Sequence, residues 1–441
     1  MKKNINKKIL YFLTLCILIL IPLTQHISYF LQINNYIYDY KDINPAIILY
    51  CAIPFLLILY IINLKKKNFK FDIYDYLLFI LIVVGLIVCF NSIHIYTSFF
   101  GRSNRHDGFL SLLSYSLLFI NWKQIANKQD LKNWYKIIIY ISVFNVIYSL
   151  LQVYSSYSFI VRTSANMTAS GFCGHNNFFG SLVVTALGMV SCKFLFDIKN
   201  NFKDIIVIII LFVGLVNSQS SGPFLSYIIT LIFLAMFLKK KNFLIAKKLL
   251  ILIIIFVSSI LSVNFINKYV FESEVCELCN IKANVIDNGG HDRWKIWKRT
   301  FLVIKKNAIL GVGYDNLAYI YPNPYPNVKV DPSGIVITNK KPNEKYYLVD
   351  NAHNVYLQTL VSSGIVGLIP YLLLCLFTFV KGCKSNNKTF FIFFAGFVVY
   401  SVQAFFNISV ISVAPIYYLI IGLILSDKKE IMDIKNGMEI K

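Results

Sequence analysis

The sequence predicts an all-α polytopic membrane protein with about twelve transmembrane helices and one large extracytoplasmic loop. Apolar residues make up 57% of the 441-residue chain and charged residues only 15%, whereas soluble domains are usually about a quarter charged. Apolar runs of about 20 residues, the length that crosses a bilayer as a helix, recur along the chain. Because lipid offers the backbone no hydrogen-bond partners, these runs must be helical.

Twelve segments are apolar enough to be candidate spans. They lie near residues 9–24, 45–64, 73–93, 108–122, 134–154, 175–196, 204–218, 221–238, 248–266, 354–380, 388–407 and 410–426. The first follows four lysines and so has the charge pattern of a signal peptide. No small-residue cleavage site comes after it and further spans do, so we expect a retained first helix.

Lysines mark every second loop between these segments. They precede the first span and follow the second, fourth, sixth, eighth, tenth and twelfth. Cytoplasmic loops carry such an excess of positive charge, so the alternation predicts that both termini are cytoplasmic. The same bias accounts for the net charge of +22, and we expect no nucleic-acid partner.

Arginines and histidines have the opposite distribution. All six histidines and all five arginines fall in segments predicted to be extracytoplasmic; the arginines are Arg102, Arg105, Arg162, Arg293 and Arg299. A guanidinium group binds phosphate oxygens in pairs and keeps its charge at any working pH. This distribution predicts an anion-binding site on the outer face. The alternative for each arginine is an ordinary loop cation that contacts lipid headgroups.

The predicted spans divide the chain into four parts. Nine spans occupy residues 1–266, the large extracytoplasmic loop residues 267–352, three further spans residues 353–426, and a cytoplasmic tail residues 427–441.

Inside the large loop, one helix and one irregular stretch are predicted. Four apolar residues at helical spacing predict an amphipathic helix along the membrane surface: Trp294, Trp297, Phe301 and Ile304. That helix would either hold Arg293 over the entrance of a lipid-substrate groove or serve only as an anchor. Residues 320–346 are rich in Pro, Asn, Tyr and Lys, and we predict that they form an irregular loop.

Three further features leave alternatives open. Asn177, in the segment Gly171–Gly180 that starts a span, lines a polar pocket or bonds between helices. Asp39 and Asp42 have no diagnostic metal spacing, so we expect no metal. Cys276 and Cys279 form a disulfide outside the cell or remain thiols. We find no phosphate-binding loop and no dinucleotide motif, and expect no cofactor.

Four motifs occur in an order that resembles the O-antigen ligase and polymerase superfamily, which comprises membrane enzymes of bacterial surface-polysaccharide assembly. They are His353-Asn354 followed by Gly364-Ile365-Val366-Gly367; Arg293 with Trp297, Ile304 and Gly311-Val312-Gly313; Gly171 through Phe178; and Arg105-His106-Asp107-Gly108. The resemblance covers about residues 95–380. One departure concerns the family's Arg-x-x-x-Leu pattern. Arg293 is followed at that distance by Trp297 and Arg299 by Val303. We assign the family role to Arg293.

The resemblance implies a membrane glycosyltransferase (GT-C-like) fold, and a site on the extracytoplasmic face of the bacterial cytoplasmic membrane. It also implies an undecaprenyl-diphosphate-linked glycan as donor and an inverting, metal-independent transfer. The expected catalytic residues are His353 and Arg293. The expected substrate-binding residues are Arg105, Arg162, Arg299, Arg102, Asn354 and Asn177. Membrane lipid and a chain-length regulator protein are the other expected partners.

The residue types suit this chemistry independently. A departing diphosphate develops negative charge, which preorganised guanidinium groups stabilise. An acceptor hydroxyl needs a base, and the unperturbed pKa of histidine lies near 6.5.

Three functions follow as hypotheses. The first is a polysaccharide polymerase, and the second is a ligase that transfers the finished glycan to a lipid core or a protein. The third is a lipid-linked glycan transporter, which would need paired charges deep within the spans. The sequence shows no such pairs, and we favour the polymerase.

Overall fold

The computed structural model describes residues 2–33, 44–66, 71–102, 105–154, 169–197, 201–238, 243–269, 291–322, 328–330, 336–338, 349–385 and 387–426. Within these ranges the protein is helical apart from connecting turns and one small hairpin. Several predictions fall outside the described residues: the tail 427–441, the acids Asp39 and Asp42, Arg162, and the cysteines Cys276 and Cys279.

The described part contains fifteen α-helices. They are α1 (Lys2–Ile33), α2 (Ile47–Lys66), α3 (Ile73–Phe90), α4 (Ile95–Phe100), α5 (Phe109–Ile125), α6 (Lys128–Tyr154), α7 (Asn176–Phe196), α8 (Phe202–Asn217), α9 (Ser221–Leu238), α10 (Phe243–Tyr269), α11 (His291–Lys306), α12 (Leu317–Ile320), α13 (Val355–Lys384), α14 (Lys388–Gln403) and α15 (Ala414–Leu425). A 3-10 turn, Gly171–Cys173, precedes α7.

Each of the twelve predicted segments is helical, but the helices differ in length. Seven of them, α1, α2, α3, α6, α7, α10 and α13, are long and apolar enough to cross a membrane. Helices α9, α14 and α15 are apolar but shorter, and α5 and α8 have 17 and 16 residues. The protein is therefore a mainly helical, multi-pass membrane protein.

Helix α7 lies at the centre of the bundle. Within its membrane-spanning window 94% of the residues are buried, and it packs against α6, α8, α9, α10 and α14. Small residues such as Gly180, Ser181 and Gly188 let neighbouring helices approach closely. In the absence of water, hydroxyl groups bond to the helix itself, as Thr185 does to the Ser181 carbonyl at 2.7 Å. Asn407 Nδ2 donates to the Asn177 carbonyl at 3.0 Å and fixes the polar N-terminus of α7 within the bundle.

Helix α13 is broken at Gly364, whose φ is +63°. The turn that follows α11 docks into this break through backbone hydrogen bonds. The Ile365 N–H donates to the Ala308 carbonyl at 2.9 Å, and the Val312 N–H donates to the Val361 carbonyl at 3.0 Å. Positive φ favours glycine because a side chain would clash with the backbone. The break thus couples the large loop to the helix that begins just after His353.

The predicted irregular loop contains regular structure. Strands β1 (Val328–Val330) and β2 (Val336–Thr338) pair antiparallel, with Val328 opposite Thr338 and Val330 opposite Val336. The prediction of irregular structure through 320–346 is wrong for these residues. Their β-branched side chains favour extended backbone, which outweighs the Pro and Asn content of the surrounding stretch.

The predicted helix is confirmed as α11, and its place along the membrane surface stays a prediction. Its predicted apolar stripe is only partly correct. Trp297 and Ile304 pack inward, together with Val303, whereas Trp294 and Phe301 are about half exposed. The buried face is therefore rotated away from Trp294, and it includes Thr300, which is fully buried. This face is buried because it packs against α13, and the apolar spacing in the sequence does not show that contact.

The substitution Gly364→Ala tests the described break. A Cβ at Gly364 would lie 1.9 Å from the Ile309 carbonyl oxygen, so α13 or the docked turn must shift. We expect a lower melting temperature for the detergent-solubilised protein, with backbone strain alone costing about 1–3 kcal/mol. The control is Gly222→Ala, where the nearest atom to a Cβ lies 3.1 Å away. If Gly364→Ala and wild type had the same melting temperature, the described break in α13 at Gly364 would be contradicted.

Candidate active site

Four connecting segments meet near the ends of α5, α7 and α13. They are residues 101–102 with 105–108, 171–177, 307–316 and 349–354. Contacts between them are specific: Arg105 bonds to Asp350, and the Arg102 backbone bonds to Asp315. Three of the predicted arginines and His353 lie on or beside these segments. The sequence separations of these bonds, 245 and 213 residues, show that only the folded chain assembles this site.

Asp350 is the central counter-charge of the site. Its Oδ2 accepts a hydrogen bond from Arg105 Nε at 2.8 Å and lies 3.8 Å from Arg102 Nη1. Burial alone would raise the pKa of this carboxyl, but Arg105, Arg102 and His353 outweigh burial, and the pKa is lowered. Asp350 is therefore ionised at neutral pH and holds the two guanidinium groups.

His353 lies within the same charge cluster. Its side chain is half-buried, and its backbone N–H donates to Asn351 Oδ1 at 3.0 Å. Burial lowers the pKa of His353 below its usual value. The positive charges of Arg105 and Arg293 lower it further, and Asp350 opposes the shift. The imidazole is consequently neutral at neutral pH and able to accept a proton.

Three site residues adopt backbone conformations that are rare for residues other than glycine. The φ angles of His106, Asp315 and His353 are +55°, +56° and +50°. In the described part of the chain only Gln219 shares this property among non-glycine residues. Such conformations cost energy and cluster at functional sites, where the surrounding structure enforces them. The concentration of three here therefore supports a functional site.

Helix α11 brings Arg293 to the cluster. Arg293, Trp297 and Thr300 are at i, i+4 and i+7, so they share one face of the helix. Trp297 Nε1 donates to the Ala352 carbonyl at 3.0 Å, next to His353. The Ala352 N–H in turn donates to Gln358 Oε1 at 2.9 Å. These bonds fix α11 against the residues that precede α13.

Two further acids border the cluster. Asp315 Oδ2 accepts the Arg102 backbone N–H at 2.6 Å. Burial raises the pKa of Asp315 to about 6, although the hydrogen bond and nearby arginines oppose the shift. Burial, together with the charge of Asp315, raises the pKa of Asp107 to about 7. These carboxyl groups therefore exchange protons near neutral pH.

The N-terminus of α7 forms another wall. His175 Nδ1 accepts the Asn177 N–H at 3.2 Å, and the Arg105 guanidinium lies 5.9 Å from the centre of the Phe178 ring. Asn177 Oδ1 accepts a hydrogen bond from Ser220 Oγ at 2.5 Å. That bond supports the interhelical role for the Asn177 side chain, and its substrate role stays a prediction.

The remaining predicted residues have structural contacts. Asn354 Oδ1 accepts the Leu357 N–H at 3.0 Å and caps α13. Arg299 hydrogen-bonds the Tyr321 hydroxyl within the packing of α11. The structure thus brings Arg102, Arg105 and Arg293 together with His353. Substrate contacts of Asn354, Arg299 and Arg162 stay predictions.

The sequence analysis missed the acids of this site. Asp350 directly precedes Asn351-Ala352-His353-Asn354, Asp315 follows shortly after the Gly311–Gly313 motif, and Asp107 lies inside the Arg105–Gly108 motif. In a chain with 43 basic and 21 acidic side chains, acids next to motif residues are the signal in the sequence that points to them.

The charge pattern limits what the site can bind. Three arginines suit an anion with several oxygens, such as a diphosphate. A neutral imidazole beside them suits removal of a proton from a hydroxyl. Within the described ranges, no three His, Cys, Asp or Glu side chains are grouped as metal ligands.

Comparison with known proteins identifies one similar family. Residues 206–372 match the family described as O-antigen ligase. The matched region runs from α8 into α13 and includes Arg293, Asp350 and His353. No curated protein matches the chain. Residues 206–372 are thus similar to the O-antigen ligase family, in agreement with the superfamily that the motifs resemble.

Proposed function

We propose that this protein is a polysaccharide polymerase that transfers a glycan from undecaprenyl diphosphate to a sugar hydroxyl on the outer face of the membrane. The observation that carries the proposal is the cluster of Arg102, Arg105 and Arg293 with the neutral His353 around Asp350. A binding site for diphosphate and a base for a hydroxyl are the two elements that such a transfer needs.

The proposal includes the membrane arrangement. Twelve spans in a GT-C-like fold would place both lysine-rich termini in the cytoplasm and the site outside the bacterial cytoplasmic membrane. Residues 1–266 and 353–426 would then be the membrane parts, and residues 267–352 the extracytoplasmic loop. A chain-length regulator protein is a further proposed partner.

In the proposed mechanism the arginines hold the diphosphate of the donor lipid. Arg102 and Arg105 come from one loop and Arg293 from α11, so positive charge would reach the diphosphate from two directions. The bond between the anomeric carbon and the diphosphate oxygen breaks, and the oxygen keeps the electron pair. The guanidinium groups stabilise the charge that develops there. Arg162 and Arg299 would bind the same lipid.

The acceptor hydroxyl would attack the anomeric carbon from the opposite side. A new carbon–oxygen bond forms as the bond to diphosphate breaks, so the configuration inverts. The hydroxyl proton passes to the neutral imidazole of His353, which becomes a cation beside Asp350. Asp350 acts as a positioning residue, because it holds Arg105 at 2.8 Å and favours the imidazolium that forms.

A ligase is the second candidate, because the matched family carries the description O-antigen ligase. A ligase would use the same donor and the same base, and only the acceptor would differ.

Purified protein incubated with lipid-linked repeat units in the presence of EDTA tests the proposal. These units can be extracted from cells in which this protein has been deleted. We expect a ladder of products. A single transfer to an added lipid-core or protein acceptor would instead establish the ligase, and no turnover with either acceptor would refute both.

His353→Ala should abolish product formation while leaving membrane insertion intact, because the hydroxyl loses its base. A well-placed base contributes about 10²- to 10⁴-fold to the rate. Product quantified by gel electrophoresis is the measurement. The control is His26→Ala, which removes a histidine that bonds Tyr148 rather than the cluster. Wild-type product from His353→Ala would remove His353 from the mechanism.

Arg105→Lys keeps a positive charge but loses the planar fork and the geometry of the Nε bond to Asp350. We expect kcat/KM for the lipid-linked donor to fall by about 10²-fold, in the range seen when one transition-state contact is lost. The control is Lys305→Ala, which removes an exposed cation of α11. Unchanged kinetics in Arg105→Lys would show that Arg105 does not bind the donor.

The pH profile tests Asp350. The active form of His353 is neutral, so the rate should fall as the pH drops through the His353 pKa, which lies below 6.5. Asp350 raises the pKa of His353, whereas Arg105, Arg293 and burial lower it. His175 also faces His353, whose charge lowers the pKa of His175. Asp350→Asn removes the raising charge.

The acid limb of kcat/KM for Asp350→Asn should therefore move to lower pH than in wild type, in addition to a lower rate. A purely structural role for Asp350 would reduce the rate without moving the limb. Movement to higher pH would contradict the assigned interaction between Asp350 and His353.

A further inference from the structure

A cavity of about 80 Å³ adjoins the charge cluster. It lies between α3, α5, α13, α14 and α15, and the turn after α11 contributes Tyr314 and Asp315. A single water needs about 10–15 Å³ of such space, so the cavity accepts a ligand larger than one water. The proposed mechanism uses none of its lining residues.

The cavity lies next to the predicted base. Val355, Gln358 and Thr359 line it from the first turns of α13, and that helix begins two residues after His353. Asp107 lines it from the loop that also carries Arg105. A molecule in the cavity would therefore be close to both the base and the guanidinium groups.

One buried hydroxyl in the cavity wall points to a ligand. Tyr115 is only 2% exposed, and its hydroxyl has no hydrogen-bond partner among the described residues. A buried polar atom without a partner is costly. Since Tyr115 lines the cavity, a bound molecule with hydrogen-bonding groups would satisfy it.

The charges around the cavity disfavour ionic ligands. Asp107 and Asp315 line it and disfavour an anion. Arg102 and Arg105 lie close enough to Asp315 to perturb its pKa, and they disfavour a free cation. A neutral molecule avoids both penalties.

The other lining groups favour a molecule rich in hydroxyls. Carboxylates accept hydrogen bonds from alcohols, and hydroxyls both donate to alcohols and accept from them. Aromatic rings offer apolar faces against which the C–H faces of a sugar ring can pack. The aromatic lining residues are Tyr115, Tyr314, Tyr371, Tyr400, Tyr417 and Tyr418.

We propose that this cavity is a saccharide subsite that receives part of the acceptor sugar at the end of the glycan, with Asp107 and Tyr115 as hydrogen-bonding residues. The proposal rests on the proposed function and specifies where the attacking sugar binds. The donor diphosphate would then occupy the arginines, and the acceptor hydroxyl would reach His353 from the cavity side.

Equilibrium dialysis with detergent-purified, full-length protein tests the subsite. The probe is the radiolabelled oligosaccharide released by mild acid from lipid-linked repeat units, which carries no lipid diphosphate. Wild type should bind it. Tyr115→Phe should weaken binding by roughly 2- to 10-fold, as for one lost neutral hydrogen bond. Asp107→Asn should also weaken it by roughly 2- to 10-fold, because an amide replaces one of the carboxyl oxygens that would bond the sugar.

Three controls make the result specific. Tyr227→Phe removes another buried tyrosine hydroxyl, one that bonds Ser191 away from the cavity, and should bind as wild type does. Undecaprenyl diphosphate without sugar should not displace the oligosaccharide, because it would occupy the arginines. Melting temperatures establish that both cavity variants fold.

Three results would each overturn the subsite. Wild type fails to bind the oligosaccharide, both cavity variants bind it as tightly as wild type does, or undecaprenyl diphosphate displaces it. Failure of the proposed function is distinguishable, because it would appear as absence of product from lipid-linked repeat units while oligosaccharide binding persists.

Discussion

The site depends on one buried carboxylate among several cations. Asp350 bonds Arg105 and lies beside Arg102, and its charge also acts on His353. Unit charges about 4 Å apart interact by about 4 kcal/mol at an effective dielectric constant of about 20. Without Asp350, two guanidinium groups would repel each other across the same small volume. The carboxylate lets the cations assemble before any anionic ligand arrives.

Backbone contacts hold this arrangement in place. The break at Gly364 gives the turn after α11 a place to dock on α13, and Trp297 bonds the Ala352 carbonyl next to His353. The large loop is thereby attached to α13 at two points. This attachment fixes Arg293 relative to His353 although 60 residues separate them in sequence. It also supports the left-handed backbone of His353, which would be unfavourable in isolation.

The basic side chains lie on one side of the site, and two of the acidic side chains lie on the other. The arginines and His353 form one side, Asp350 lies among them, and Asp315 and Asp107 border the cavity. This order matches the two ends of the proposed reaction, with an anionic leaving group on the cationic side and neutral hydroxyls on the other. Asp315 joins the two sides, since it lines the cavity and accepts the Arg102 backbone N–H.

The sequence alone predicted the helical segments, their alternating lysine-rich ends, α11 and the involvement of His353 with the arginines. These features follow from local hydropathy, helical spacing and short motifs, all of which are written in neighbouring residues. The tertiary structure alone decided which face of α11 is buried, that Val328–Val330 and Val336–Thr338 pair, and that Asp350 is the partner of Arg105. These features depend on contacts between residues that are far apart in the chain. The spacing and composition of a single sequence do not show which distant residues are in contact.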